Sequence, residues 1–230
     1  MARLLIVLIP LALLLAWLPQ WWVRRTIERY QQPANRYNGT GAQFARELLD
    51  AEGLHDVGVE PTNGGDHYDP QTRTVRLTPP HHDNGSLAAL TIAAHEVGHA
   101  LQHRDAYRPL ALRTQLVYVA RNAQFIGAVA MFAIPMITLI SRHPVPGVAF
   151  FLIGLLSMGT AALVHLVTLP TEFDASFNRA MPLLERRQAL HSVDYPHARR
   201  LLKAAAMTYV AQSVMSLINV GAWLRFLMRR

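Results

Sequence analysis

The chain has 230 residues, of which 51% are hydrophobic and 16% are charged, and its mean hydropathy is positive at +0.15. This composition is too apolar for an ordinary soluble domain and too charged in places for a protein that lies wholly in lipid, so it predicts a mainly α integral membrane protein with an aqueous part. The absence of cysteine excludes disulfides, thiol nucleophiles and cysteine-ligated zinc. The net charge of +7 comes largely from scattered arginines that often flank apolar runs, so we expect no nucleic acid partner.

The first predicted element is a membrane-spanning helix over residues 4–23. This run ends in Trp21-Trp22, and Arg24-Arg25 follow, which is the order of an aromatic belt and a basic stop. A cleavable signal peptide is the alternative interpretation, but the apolar run is long and no small-residue cleavage pattern follows it. We therefore interpret residues 1–25 as an N-terminal membrane anchor.

Residues 26–116 are predicted to form an aqueous region with a small sheet. Thr40 is a suitable helix cap, and the apolar spacing after it predicts a short helix that stops at Gly53. Two runs, residues 57–59 and 74–78, predict strands separated by turn-forming residues. The second strand precedes a long helix, so its free edge is a candidate binding site for an extended peptide, with a purely structural strand as the alternative.

That long helix is predicted from a cap at Ser86 to about His103, and it carries the motif His95-Glu96-Val97-Gly98-His99. Residues four apart on a helix share one face about 6 Å apart, so the two imidazoles can bind one ion. Zn2+ suits this pair, and Glu96 is placed to act as general base toward a water molecule. The alternative is a helix with purely structural histidines, which leaves the charge of Glu96 unexplained beside an apolar segment.

A catalytic zinc usually has three protein ligands, so the motif lacks one. The metzincin pattern is excluded, because Asp105 stands where its third histidine would be. His103 lies two turns from His95, about 12 Å along the helix, which is too far for a shared ion. Glu172 opens a later predicted helix and would complete a set of two histidines and one glutamate, as in thermolysin-like sites.

Two further apolar runs, residues 117–140 and 145–169, are joined by a very short link and predict a transmembrane helical hairpin over 117–169. A hairpin returns the chain to the side of the membrane from which it entered. The third-ligand helix region, residues 170–203, is therefore expected beside the aqueous region that carries the two histidines.

The last predicted element is a C-terminal membrane helix over residues 204–230. Its apolar part contains Gln212, Ser213, Ser216 and Asn219, which need partners in lipid, so an amphipathic helix is the alternative. The paired arginines after the first span favour a cytoplasmic aqueous region, although the arginines at the far end of the chain favour the opposite assignment.

The motifs HEVGHALQH, LPTEFDAS, DHYDP and TVRLT, with the predicted spans, resemble the neutral zinc metallopeptidases, a membrane-associated bacterial family of gluzincin type. The resemblance covers most of the chain, from about Tyr37 onward. It implies zinc ligation by His95, His99 and Glu172, with Glu96 as catalytic base. It also implies a multi-pass protein of the bacterial inner membrane with a small, zincin-like α+β catalytic region in the cytoplasm. The implied partners are the lipid bilayer and a peptide or protein substrate, which includes membrane-associated substrates.

A more distant resemblance is to membrane peptidases of the prenyl-protein protease and heat-shock type. These usually place an aspartate four residues after the third-ligand glutamate, where this chain has Ser176, and Asp174 is a candidate substitute. Asp66 and His67 are candidates to orient a ligand histidine or to stabilise an oxyanion, with turn formation as the alternative. The pair His81-His82 is predicted to lie in an exposed loop.

The sequence therefore predicts a membrane-bound zinc peptidase that uses zinc-activated water. One alternative is a zinc-binding membrane scaffold or regulatory protein without proteolytic activity. A second alternative is a metal transporter, which predicts ionisable residues within the spans, where the sequence offers only Arg121 and His165.

Overall fold

The computed structural model describes residues 18, 21–141, 152–153, 160, 163–207 and 210 of the chain. The chain divides into two compact units. The first unit contains the chain up to Leu110 and resumes at Pro170, and the second contains Ala111–Leu169. All of the predicted site residues lie in the first unit.

The described residues form helices and one small three-stranded sheet. In chain order they are helical residues 21–30, α1 (Gly41–Ala51), β1 (Gly58–Pro61), β2 (His67–Asp69), β3 (Thr74–Leu77), α2 (Pro79–His82), α3 (Leu87–Arg104), α4 (Arg108–Ser141), helical residues 163–173, a π-helical segment (Asp174–Ala180), α5 (Met181–Arg186), a 3-10 turn (Ser192–Asp194) and helical residues 195–207.

Helix α1 confirms the short helix predicted after Thr40. The Thr40 side chain accepts a hydrogen bond from the Gln43 backbone, and the Gln43 side chain accepts one from the Thr40 backbone, which together form a capping box. Leu48 and Leu49 are fully buried on the inner face, and burial of each contributes about 1.5–3 kcal/mol. After the helix ends, Gly53 adopts a φ of +74°, a conformation that favours glycine.

The sheet has the order β1-β3-β2, with β3 parallel to β1 and antiparallel to β2. Both predicted strands are confirmed, but β3 is the central strand. The prediction of a free β3 edge for substrate is therefore wrong, because both of its edges are paired. Strand β2 is not among the predicted strands, because it is short and Tyr68 is its one buried residue.

Helix α3 forms the centre of the first unit. Every residue in it except Ile92, His103 and Arg104 is buried, and the predicted cap is confirmed, because the Ser86 side chain accepts from the Ala89 backbone at 3.0 Å. The π-helical segment crosses α3 closely: a Cβ at Gly98 would lie 2.7 Å from the Ala175 carbonyl oxygen. Only glycine permits this approach, which brings the two helices into contact beside the histidines.

Among the described residues, no helix combines the length and the apolar character needed to cross a membrane. The predicted integral membrane architecture is therefore wrong for this part of the chain, which is mainly helical with a small sheet. The predicted span 117–140 falls on α4 and includes Arg121 and Gln124, whose polar groups are costly in lipid. The other predicted spans, residues 4–23, 145–169 and 204–227, lie mostly outside the described residues.

Candidate metal centre

Three buried side chains, His95, His99 and Glu172, offer ligand atoms that all lie within 4.8 Å of one another. Nε2 of His95 is 3.2 Å and Nε2 of His99 is 3.6 Å from the same carboxylate oxygen of Glu172. Two imidazole nitrogens and one carboxylate oxygen form a donor set that Zn2+ takes in hydrolytic sites, where a fourth position stays open. The residues present therefore fit a zinc ion.

Helix geometry explains why the two histidines meet. They are one turn apart on α3, and their ring centroids are 4.8 Å apart with the rings nearly perpendicular. Glu172 lies far away in the sequence, just before the π-helical segment, and the close crossing of that segment at Gly98 brings Glu172 against α3. The site thus depends on contact between two helices as well as on the motif itself.

Glu172 carries a negative charge in a buried position. Burial raises the pKa of Glu172, but electrostatic attraction to His99 and hydrogen bonds with both histidines outweigh burial and hold that pKa well below its usual range. A bound cation at this position would act in the same direction. The carboxylate is therefore ionised at neutral pH, as a metal ligand must be.

The ring nitrogens that face away from Glu172 each have a polar neighbour. Nδ1 of His95 is 3.2 Å from the Ser176 hydroxyl, and Nδ1 of His99 is 2.9 Å from the Gln102 side-chain oxygen. Hydrogen bonds of this kind orient a ligating histidine and set which nitrogen carries the proton. In the sequence, Ser176 stands out only as a departure from the distantly similar peptidases. No local pattern marks Gln102, although it is one turn after His99 on α3.

The structure places Glu96 on α3 with a buried side chain, directly after His95. A carboxylate in that position is suited to exchange protons at the metal site, as the sequence predicts.

Asp174 supports the site indirectly, through Gln102. Its carboxylate accepts hydrogen bonds from the Gln102 amide nitrogen at 2.9 Å and from Nε of Arg179 at 2.7 Å. Arg179 in turn contacts Asp105 at 2.5 Å. Burial raises the pKa of Asp174, but these hydrogen bonds, led by Arg179, outweigh burial and lower it. Asp174 therefore reaches His99 through Gln102.

Asp66 and His67 do not contact the three candidate ligands. The Asp66 carboxylate instead contacts Nδ1 of His81 at 2.8 Å and accepts from the Thr78 backbone at 2.7 Å, while the exposed His67 ring contacts the Gly65 carbonyl. The prediction of an exposed loop is wrong for His81, which is 4% exposed in α2. It is buried because it pairs with Asp66, which the sequence places fifteen residues earlier.

Two histidines of an HExxH helix beside a glutamate from a later helix define the class of zinc proteins of the HExxH type. The chain belongs to the family described as "Putative neutral zinc metallopeptidase", whose model matches residues 4–228. The resemblance drawn from the sequence is confirmed.

A Bacillus subtilis (strain 168) protein named "Putative membrane protease YugP" is 36% identical to this chain over 225 residues, which cover 94% of this chain and 92% of that protein. No solved structure matches this one. Zinc is the metal of the matched family, and the buried triad has the donor set to bind it.

Proposed function

We propose that this protein is a zinc peptidase that hydrolyses peptide bonds, with His95, His99 and Glu172 as zinc ligands and Glu96 as general base. The observation that carries the proposal is the convergence of the three ligand atoms within 4.8 Å, because Glu172 comes from a segment far from the motif. The name of the Bacillus subtilis relative, a membrane protease, supports the same reaction.

When bound, zinc supplies a Lewis acid that polarises the scissile carbonyl and makes water more acidic. Glu96 accepts a proton from the attacking water as the water oxygen bonds to the carbonyl carbon. Glu96 then returns that proton to the amine nitrogen as the peptide bond breaks. Burial of the Glu96 side chain keeps this proton transfer away from bulk water.

The role of Glu96 is tested by Glu96→Gln, which keeps the size of the side chain but removes the proton acceptor. We expect the variant to retain zinc and to lose peptide cleavage, measured by mass spectrometry on a mixed peptide library. Glu47→Gln is the matched control, because the same change is made at an exposed position on α1. Full activity in Glu96→Gln would contradict the assignment.

The ligand set is tested by zinc content in the purified wild type, His95→Ala and Glu172→Ala. We expect one zinc per chain in the wild type and its loss in both variants. Zinc retained by Glu172→Ala would contradict the third ligand. A wild type that binds zinc but cleaves no peptide would instead favour the scaffold function over the peptidase.

We further propose that the peptidase acts at the cytoplasmic face of the bacterial inner membrane, on substrates that include membrane-associated proteins. The name of the relative, a membrane protease, supports the membrane part of this location. Helical residues 21–30 offer suitable side chains, because Trp21 is 40% exposed and Arg25 lies 5.0 Å over its ring. Cell fractionation tests the proposal, and recovery of the protein only outside the membrane fraction would contradict it.

A further inference from the structure

We infer that Gln102 is a positioning residue that determines which ring nitrogen of His99 faces the metal site. This inference rests on the proposed role of His99 as a zinc ligand. It concerns a different question, namely how the protein keeps one histidine ready to bind before metal arrives.

The neighbours of the Gln102 amide allow it only one orientation. Its side chain is fully buried, and Nε2 lies 2.8 Å from the Thr171 carbonyl oxygen and 2.9 Å from a carboxylate oxygen of Asp174. A backbone carbonyl oxygen only accepts hydrogen bonds, so the contact with Thr171 by itself requires a donor on the Gln102 side. The NH2 group of Gln102 must therefore face these two acceptors, since the reversed amide would bring oxygen against oxygen.

The orientation of the Gln102 amide determines which nitrogen of His99 carries the proton. With its nitrogen committed, Gln102 presents Oε1 to Nδ1 of His99 at 2.9 Å. Oε1 can only accept, so Nδ1 of His99 must carry the proton. In the neutral ring the lone pair then lies on Nε2, which is the nitrogen 3.6 Å from the Glu172 carboxylate. Gln102, which is not one of the three candidate ligands, thus selects Nε2 as the ligating nitrogen of His99.

Gln102 also sets the distance between the two segments that carry the ligands. Thr171 directly precedes Glu172, so one buried amide joins His99 on α3 to the segment that carries the third ligand. His95 has no equivalent constraint from its outer neighbour, because the Ser176 hydroxyl can donate as well as accept. Gln102 therefore sets both the tautomer of His99 and the spacing between α3 and the segment that carries Glu172.

The test compares zinc affinity in Gln102→Met with that in Thr91→Val. Met keeps the length of the side chain and removes every hydrogen bond of the amide. Thr91→Val is the matched control, because Thr91 is a fully buried polar residue on the same helix whose hydroxyl bonds within α3, to the Leu87 carbonyl at 2.7 Å. Zinc dissociation constants come from competition with a chromophoric chelator, and thermal unfolding of the metal-free proteins measures stability.

We expect Gln102→Met to weaken zinc binding by about 10- to 100-fold, the range typical of partners behind a ligating histidine, and Thr91→Val to change it by less than about threefold. Equal losses of affinity in the two variants, following their losses of stability, would show a merely structural role and overturn the inference. If the wild type itself binds no zinc, the proposed function fails instead.

The wild type offers a second measurement that needs no substitution in the network. Nitrogen-15 spectra of the zinc-loaded, histidine-labelled protein distinguish protonated Nδ1 from protonated Nε2, and a His99→Asn spectrum identifies the resonances of His99. We expect the proton on Nδ1 and the metal on Nε2. A proton on Nε2 of His99 would overturn the inference whatever the affinities show.

Discussion

The Ser176 hydroxyl oxygen lies 3.2 Å from Nδ1 of His95, while Nε2 of the same ring faces Glu172 at 3.2 Å. Ser176 lies four residues after Glu172. The distantly similar membrane peptidases usually have an aspartate at this position. A neutral hydroxyl makes a weaker hydrogen bond to an imidazole N–H than a carboxylate does, so it holds the His95 ring less firmly.

Ser176→Ala removes this hydroxyl and leaves Nδ1 of His95 without that neighbour. We expect zinc affinity to fall about tenfold, the lower end of the range for such partners, and stability to fall by about 1 kcal/mol. Chelator competition and urea unfolding measure the two effects. Ser192→Ala makes the same change at an exposed position and should alter neither. Unchanged affinity in Ser176→Ala would remove Ser176 from the metal site.

Gly98→Ala places a methyl group 2.7 Å from the Ala175 carbonyl oxygen, a distance that real Cβ atoms essentially never show. Backbone must move, because the obstacle is not a flexible side chain. We expect α3 and the π-helical segment to separate, with a loss of stability of about 1–3 kcal/mol and a large loss of zinc affinity.

Gly64→Ala is the control for this substitution, because its Cβ would meet only the Thr62 hydroxyl at an ordinary 3.5 Å. Thermal unfolding and zinc titration of both variants separate a steric effect at the crossing from a general effect of removing glycine. A Gly98→Ala protein with wild-type affinity would show that Glu172 is not held by this crossing.

The sequence predicts those features of the site that are local. The motif on α3 places His95 and His99 on one face, and Thr40 and Ser86 are recognisable caps because capping uses neighbouring residues. Glu172 was predictable only from the need for a third ligand. Its contact with the two histidines is now seen in the structure.

The features that the sequence missed depend on long-range contacts. His81 is buried in a pair with Asp66, the residue that precedes β2, and no local pattern in the sequence marks that pair. Gln102 is a polar residue within an apolar helix, and its function appears only when Thr171 and Asp174 lie against it. The predicted span over residues 117–140 was wrong, because among the described helices, α4 included, none combines the length and the apolar character needed to cross a membrane.

Zinc removal should lower the thermal stability of the protein. Binding to the folded state alone stabilises it by RT ln(1 + [L]/Kd), about 4 kcal/mol when free zinc is a thousandfold above Kd. We expect a chelator to lower Tm and to abolish peptide cleavage, and added zinc to restore both. In Glu172→Gln, which removes the charged ligand, Tm should respond much less to zinc. An equal response in this variant would place the stabilising ion elsewhere.

Asp194 is the buried acid of a second network in the first unit. Its two carboxylate oxygens accept from Nε and Nη2 of Arg36 at 2.6 and 2.8 Å, and the Tyr37 hydroxyl also donates to it. Burial raises the pKa of Asp194, but these hydrogen bonds outweigh burial and lower it. Burial, and then contact with Asp194, raises the pKa of Tyr37 to about 12.

The lowered pKa gives a defined pH dependence. The ionised form of Asp194 is favoured by folding, so its contribution is present above the unfolded pKa of about 3.9 and is lost as the pH falls through the lower pKa of the folded state. Asp194→Asn should therefore lower the free energy of unfolding by roughly 2 kcal/mol near neutral pH, and the difference from wild type should shrink below about pH 4.

Urea unfolding of wild type and Asp194→Asn across this pH range measures the effect. Asp56→Asn is the control, because Asp56 pairs with Arg73 at the surface, where both side chains are about half exposed. An exposed pair contributes at most about 1 kcal/mol, so this variant should stay near wild type throughout. If Asp194→Asn is as stable as wild type near neutral pH, the Arg36 contact does not stabilise the fold, and its hydrogen bonds only offset the cost of burying the acid.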